Sequence, residues 1–212
     1  MNKLEQIIKH ELQYHAVSSL AQLSLATPIF ALYETTVANM TVEQSLSTRY
    51  WATAITFAGV GYLDEKVRNY VRKKLDITDQ TEEKRQKKID RRTKMVFNTV
   101  RAGVTYLLGL KGRDPTKLLR GVGLGVIYGR LFGARSGYMM DLYKDLSGLT
   151  PSRRIPERIR NLKSRTKKLL MAGLIAASIG TTAGIYKIIP PAKEYIMDKC
   201  EQVMDEQVIE NR

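Results

Sequence analysis

"RGVGLGVIYGRLFGARSGYMMD", residues 120–141, is the stretch whose reading decides the fold. Its glycines fall at Gly121, Gly125, Gly129, Gly133 and Gly137, every fourth position, with Gly123 as an extra. Glycine inside a helix costs about 1 kcal/mol relative to alanine, so a run at helical spacing needs a reason. A dinucleotide fingerprint fails. Counted from Gly121, the third glycine of G-x-G-x-x-G falls on Val126; counted from Gly123, it falls on Tyr128. No strand precedes the run, no acidic residue is suitably placed after it, and the P-loop pattern is absent. A helix with a small-residue seam remains. Residues four apart advance about 400°, so each glycine drifts only ~40° around the axis. In membranes such small-xxx-small seams let two helix backbones approach closely.

The same device recurs in "LLMAGLIAASIGTTAGIYKII", Leu169 to Ile189, where Ala172, Ala176, Gly180 and Gly184 are also four apart. This stretch is long enough to cross a bilayer core at helical rise. Lys187 is close enough to its end to snorkel, and Pro190 and Pro191 are expected to stop it. Four weaker spans are expected at 16–37, 50–63, 95–110 and 118–140. They are interrupted respectively by Gln22, Pro28 and Glu34; by nothing charged but with Tyr50, Trp51 and Tyr62 at interfacial positions; by Asn98 and Arg101; and by Arg120, Arg130 and Arg135.

Between the apolar stretches the chain is basic. Lys and Arg total 35 against 21 Asp and Glu, a formal net charge of +14. Such an excess points to an anionic partner, nucleic acid or a membrane surface. The charges are segregated: twelve cations fall in 65–94 and eight in 153–168. With five spans these blocks share one side. The opposite side receives 38–49, the short turn with Lys111, Arg113 and Lys117, and an acidic tail after residue 190. That is the positive-inside pattern with a cytoplasmic N-terminus, and a nucleic-acid binder has no reason for it. Segment 64–94 reads as a helical hairpin or one bent helix. Its Val67, Tyr70, Val71 and Leu75 suit an amphipathic face on anionic lipid, with a solvated charged helix as the equal alternative. "TEEKRQKKIDRRTK" reads as a solvated charged helix.

The expected fold is therefore an all-α membrane protein. A 1–15 amphipathic segment leads into a four-helix transmembrane bundle over 16–146, which carries the basic cytoplasmic helical loop 64–94. A basic linker 147–168, a fifth transmembrane helix 169–189 and the acidic tail 190–212 follow. One cysteine, Cys200, and two histidines, His10 and His15, exclude a disulfide framework and a zinc site needing several Cys or His ligands. No nucleophile–base triad, paired catalytic carboxylates or metal cluster emerges, so neither an enzyme nor a cofactor is expected. The functional signal lies in ionisable residues at or near membrane depth: Glu34, Arg101, Arg130, Arg135 and Asp141, with Arg130 able to face Glu34 across the bundle. The alternative is that some of these only mark span ends.

At "ETTVANMTVEQSLSTR", residues 34–49, the chain resembles the L-alanine exporter family of small bacterial inner-membrane proteins. Glu34 closes the first span and is followed by Met40, Thr41, Glu43, Gln44, Ser45 and Arg49. The opening stretch supplies a G-x3-G-Y-x2-D signature from Gly133, Gly137, Tyr138 and Asp141. "HAV" at 15–17 and "GLKGRDP" at 109–115 also look similar. The resemblance covers roughly residues 15–146. It implies a four-helix transporter exporting L-alanine or a similar small amino acid, driven by the proton gradient, oligomeric through the glycine seam. Arg101, Arg130 and Arg135 depart from that pattern, as does the fifth helix. A zwitterion needs a cation or N–H donors for its carboxylate, from Arg49 or Arg130, and an acceptor for its ammonium, from Glu34, which could also carry the coupling proton. The other functional class is a non-transporting membrane scaffold, assembled through the glycine seams with its basic loops on anionic lipid.

Overall fold

The computed structural model describes residues 3–78, 80–110 and 114–210, with side chains described between 5 and 189. Lys111, Arg113, Cys200 and the acidic side chains of the tail lie outside the residues so described. Among the described residues the structure is all-helical, without a strand. The helices are α1 (Lys3–Thr36), α2 (Val42–Ile55), α3 (Gly61–Lys74), α4 (Glu83–Gly109), α5 (Pro115–Ser147), the short α6 (Glu157–Arg160) and α7 (Ser164–Glu210).

Local chemistry sets the corners. Thr41 and Gln44 form a reciprocal capping box, both bonds at 3.2 Å, which starts α2 five residues after α1 ends. Asp114 caps α5 through the Lys117 N–H at 2.9 Å, with Pro115 in the first turn where its missing N–H costs nothing. Gly148, at φ +78°, takes the left-handed position that ends α5.

A single π-helical turn, Thr56–Val60, joins α2 to α3, with Gly59 at φ +124°. A π-bulge frees main-chain carbonyls, and α1 answers them. His15 Nε2 donates to Phe57 O at 2.8 Å, Ser19 Oγ to Thr56 O at 3.3 Å and Gln22 Nε2 to Gly61 O at 2.9 Å. At Gly61 a Cβ would lie 2.5 Å from Ser19 Oγ, so α1 and α3 cross too closely for a side chain there.

Four helical rods form the bundle in up-down order: α1, the α2–α3 rod, α4 and α5, with each packed on the next and α5 closing onto α1. The glycine seam of α5 lies on α4. A Cβ on Gly121 would meet the Tyr106 ring at 2.5 Å, on Gly125 Asn98 O at 2.7 Å, on Gly129 Met95 Cα at 2.3 Å, on Gly133 Arg91 Cα at 2.9 Å and on Gly137 Asp90 Oδ2 at 2.5 Å. The seam is thus filled from within the chain and is not free for a second copy.

The second run of small residues behaves differently. Nothing lies within 4 Å of a Cβ built on Gly180 or Gly184, and Ala172 and Ala176 are exposed. Helix α7 instead presents Met171, Leu174 and Ile175 to a cluster of Val17, Ala21, Met140 and Tyr143 on α1 and α5. Larger side chains bury more apolar area and take the inner face. Nor do Pro190 and Pro191 end α7, which continues to Glu210. A proline removes its own N–H from the helical ladder and leaves the bonds on either side available.

Among the described residues, two helices are long and apolar enough to cross a membrane: Glu5–Thr36 within α1 and Ser164–Ile189 within α7. The stretches 50–63, 95–110 and 118–140 fall inside the other rods but do not meet that criterion alone.

Candidate functional site

The interior of the bundle is as polar as it is apolar. Among the described residues, 22 polar or charged side chains are buried against 19 apolar ones. Ten of the buried ones are ionisable acids or bases, spread over all four rods. Large apolar side chains meanwhile face outward, including Leu46, Trp51, Phe57, Val96, Val100, Val104, Leu107, Val126, Ile127 and Leu131.

At the upper end, where α1 stops and α2 starts, Glu34 is fully buried. Its Oε1 accepts from Arg49 Nη2 and from the Tyr106 hydroxyl at 2.5 Å, and its Oε2 accepts from Ser45 Oγ at 2.5 Å. Ser45 also meets the Tyr186 hydroxyl at 2.8 Å, tying α7 to the cluster. The Arg49 guanidinium lies 4.7 Å over the Phe30 ring, a cation–π contact. Fifteen residues of sequence separation between Glu34 and Arg49 are closed by the capped corner at Thr41.

Below the pair lies a cavity of about 20 Å³. Among the described residues, four buried polar atoms on its lining find no hydrogen-bond partner: Arg49 Nε, Asn98 Nδ2, Thr105 Oγ1 and the Tyr128 hydroxyl. Arg101 also lines it, donating to Gln22 Oε1 at 3.1 Å and Thr56 Oγ1 at 2.9 Å. Among the described residues Arg101 forms no ion pair, whereas the neighbouring Lys94 is paired with Asp64 and Arg49 with Glu34. The cavity therefore carries one uncompensated positive charge and an excess of donors. No group of three or more His, Cys, Asp or Glu among the described residues is placed to hold a metal.

A second, larger ionic assembly closes the lower end. Asp64 pairs with Lys94, and Glu65 with Lys144; Glu65 also takes bonds from Ser18 and from Tyr14 at 2.9 Å. Arg68 grips both Asp141 oxygens at 2.9 and 2.8 Å and reaches Asp90 at 3.2 Å. Arg72 grips Asp90 at 3.0 and 2.7 Å, and Arg154 joins Asp90, Asp141 and Glu83 at 2.8–3.2 Å. Burial alone would raise the Asp90 carboxyl, yet Arg68 and Arg72, with Arg154, hold it below the ordinary aspartate range. The glycine seam makes this possible. Gln86, Asp90, Lys94 and Asn98 form a polar row four apart on α4. That row packs on Gly125, Gly129, Gly133 and Gly137, whose missing side chains leave room for it.

The expected residues divide. The structure brings Glu34, Ser45 and Arg49 together. Met40 is buried beneath the corner and Gln44 caps it, while Glu43 is exposed in the first turn of α2. Asp141 belongs to the lower assembly and not to the cavity. Arg130 does not face Glu34. It is exposed, as is Arg135, whose guanidinium sits 5.4 Å over Phe132. Arg130 follows Gly129 by one residue, and that 100° turn swings it away from the buried seam. A polar interior on the arginine side of α5 is thereby ruled out; the polar interior is on the glycine side.

Comparison with known proteins finds no matching family model, curated protein or solved structure.

Sequence reading missed Tyr106, Tyr186, Asp64, Glu65, Arg68, Lys144 and Arg154. A signal existed for part of them. The four-residue row on α4 mirrors the glycine row on α5, and the glycine row itself runs on in phase into Asp141 and Asp145. "TEEKRQKKIDRRTK" is accordingly not a wholly solvated helix: Gln86, Asp90 and Lys94 are buried. On α3 the buried face is Asp64, Glu65 and Arg68, while Tyr70 and Leu75 of the expected apolar face are exposed.

Proposed function

We propose that the chain is a multi-pass protein of the cell membrane, with a cytoplasmic N-terminus, that exports L-alanine or another small amino acid in exchange for protons. Polar-inside, apolar-outside packing supports the membrane reading, because water has no use for an apolar exterior of this kind and lipid does. The transport reading rests chiefly on one observation: the buried Glu34–Arg49 pair borders a cavity whose polar lining atoms lack partners. An unmade bond to a buried polar group costs about 1–3 kcal/mol, and four converge here. The resemblance of 34–49 to the L-alanine exporters points to the same pair.

A cavity of about 20 Å³ accommodates roughly one water molecule, so an amino acid enters only when the helices part. Separation of Glu34 from Arg49 would release the two groups that a zwitterion needs. The substrate carboxylate would then lie against Arg49, Asn98 and the unpaired Arg101, and its ammonium against Glu34. Proton binding at Glu34 would break the pair from the other side, coupling release to proton entry.

The test is export from cells preloaded with an alanine dipeptide, with and without the protein. The protein is expected to lower intracellular alanine, and Glu34→Gln to slow export at least about tenfold, the weight of one hydrogen-bonded charge. Unchanged intracellular alanine would favour the second reading, a non-transporting membrane scaffold. The water-sized cavity and the small-residue face that α7 turns outward support that alternative.

A further inference from the structure

On the flank of the bundle, away from the Glu34 cavity, α4, α5 and the 153–156 loop enclose a groove of about 920 Å³. Its lining combines two chemistries. Leu25, Leu131, Ala134 and Met139 are apolar, with Leu131 58% exposed. Lys87, Arg91, Arg135 and Arg153 are basic and all exposed, with Glu83 as the acidic lining residue. Among the described residues Arg91, Arg135 and Arg153 have no carboxylate partner, and Lys87 has only Glu83 at 3.6 Å on the surface. Arg154, by contrast, is turned inward, with its charge consumed by Glu83, Asp90 and Asp141. The lower assembly therefore leaves Arg91, Arg135 and Arg153 uncompensated beside the apolar lining residues of the groove.

We propose that this groove binds one anionic phospholipid of the cytoplasmic leaflet, its phosphate against Arg135, Arg91, Lys87 and Arg153 and its acyl chains along Leu131 and Ala134. The proposal rests on the membrane reading above. The volume lies within the range of small-ligand sites. A free phosphate would use the cations but not the apolar side chains interleaved with them, which the acyl chains of a lipid would cover. Basic pockets on the cytoplasmic side of helix bundles draw acidic headgroups by the same electrostatics.

The full-length chain, purified in neutral detergent, is titrated with phosphatidylglycerol or with phosphatidylcholine of the same acyl length, and bound lipid is counted by native mass spectrometry. Phosphatidylglycerol is expected to bind at least about tenfold more tightly, and Arg135→Gln with Arg153→Gln to remove that preference. Lys73→Gln with Lys74→Gln, the same charge loss on the exposed end of α3, should leave it intact. Where the double variant loses helicity by circular dichroism, Arg153→Gln alone, on the loop, takes its place. Equal binding of the two lipids, equal loss in both pairs of variants, or competition by glycerol phosphate as strong as by intact lipid would overturn the proposal. Carbonate extraction of the same membranes separates the two levels: a chain released as soluble defeats the membrane reading, and a retained chain without lipid preference defeats the groove alone.

Discussion

Gly129 and Gly123 lie six residues apart on α5 and stand in opposite environments. A Cβ on Gly129 would sit 2.3 Å from Met95 Cα and 2.7 Å from Met95 N, main-chain atoms that cannot rotate away. A Cβ on Gly123 meets nothing within 4 Å. Alanine at Gly123 should therefore deliver the helix-propensity gain of up to about 1 kcal/mol. At Gly129 the same substitution forces α4 and α5 apart and should cost about 1–3 kcal/mol net. In thermal unfolding of the detergent-purified chain, Gly129→Ala is expected to melt several degrees lower and Gly123→Ala no lower than the parent. Equal melting of the two variants would mean that the helices do not pack in this register. The reasoning at Glu34 has the same local character. Glu34→Ala leaves Arg49 buried with no carboxylate beside it, a loss of roughly 3–5 kcal/mol. Glu34→Gln keeps one acceptor oxygen for Tyr106 and presents an N–H to the Ser45 hydroxyl, which makes it the better probe of transport.

Among the elements, α4 has the strongest consequences, because the charges of its polar row are neutralised by two other segments, α3 and the loop after α5. Asp90 is the hub, held by Arg68 and Arg72 from α3 and by Arg154 from the loop after α5. Its carboxyl titrates below the ordinary aspartate range in the folded chain. A lowered carboxyl contributes stability above its unfolded value, near pH 3.9, and loses it as pH falls through the folded value. Acidification below about pH 4 should thus open the lower end, where α3, α4 and the 153–156 loop meet. Hydrogen exchange of 64–74 and 83–94 is expected to accelerate in that window, and Asp90→Asn to remove the acid step while raising exchange at neutral pH. The same element marks what the sequence could and could not convey. The α5 seam was legible because small residues at a fixed period have no other physical use. The corner from Glu34 to Arg49 was legible because its cap, charge pair and spacing are local. The burial of Asp90 and Lys94 was not, since cations on every side of α4 hide the row. Only the empty strip on α5 decides which charges go inside. Arg130 shows the complementary limit. Its charge was visible, but its direction depended on the face that Gly129 commits to α4.

For the whole molecule, the Glu34 cluster and the Asp90–Asp141 assembly sit toward opposite ends of the bundle, with Lys94 lining the cavity between them, and apolar side chains of α4 and α5 face outward along the intervening stretch. Charged groups left in hydrocarbon cost about 2.5–3.5 kcal/mol each on insertion scales, so on the proposed membrane reading the exposed Arg135 marks an edge of that apolar stretch. Arg135 lies in the second half of α5, toward the end that also carries the basic blocks 65–94 and 153–168. On the topology proposed above, the positive-inside rule puts that end in the cytoplasm and the C-terminal end of α7 on the outer side. Cys200, the single cysteine, falls in the part of α7 beyond residue 189 and offers a test without engineering. In intact cells a membrane-impermeant maleimide should label the chain, and Cys200→Ala should abolish the signal. Labelling that appears only after the cells are permeabilised would place the tail inside. The basic blocks would then face outward, against the anionic leaflet's pull of about 1 kcal/mol per cation. Under that result both the export direction and the cytoplasmic lipid groove would fall together, while the Glu34–Arg49 pairing would stand.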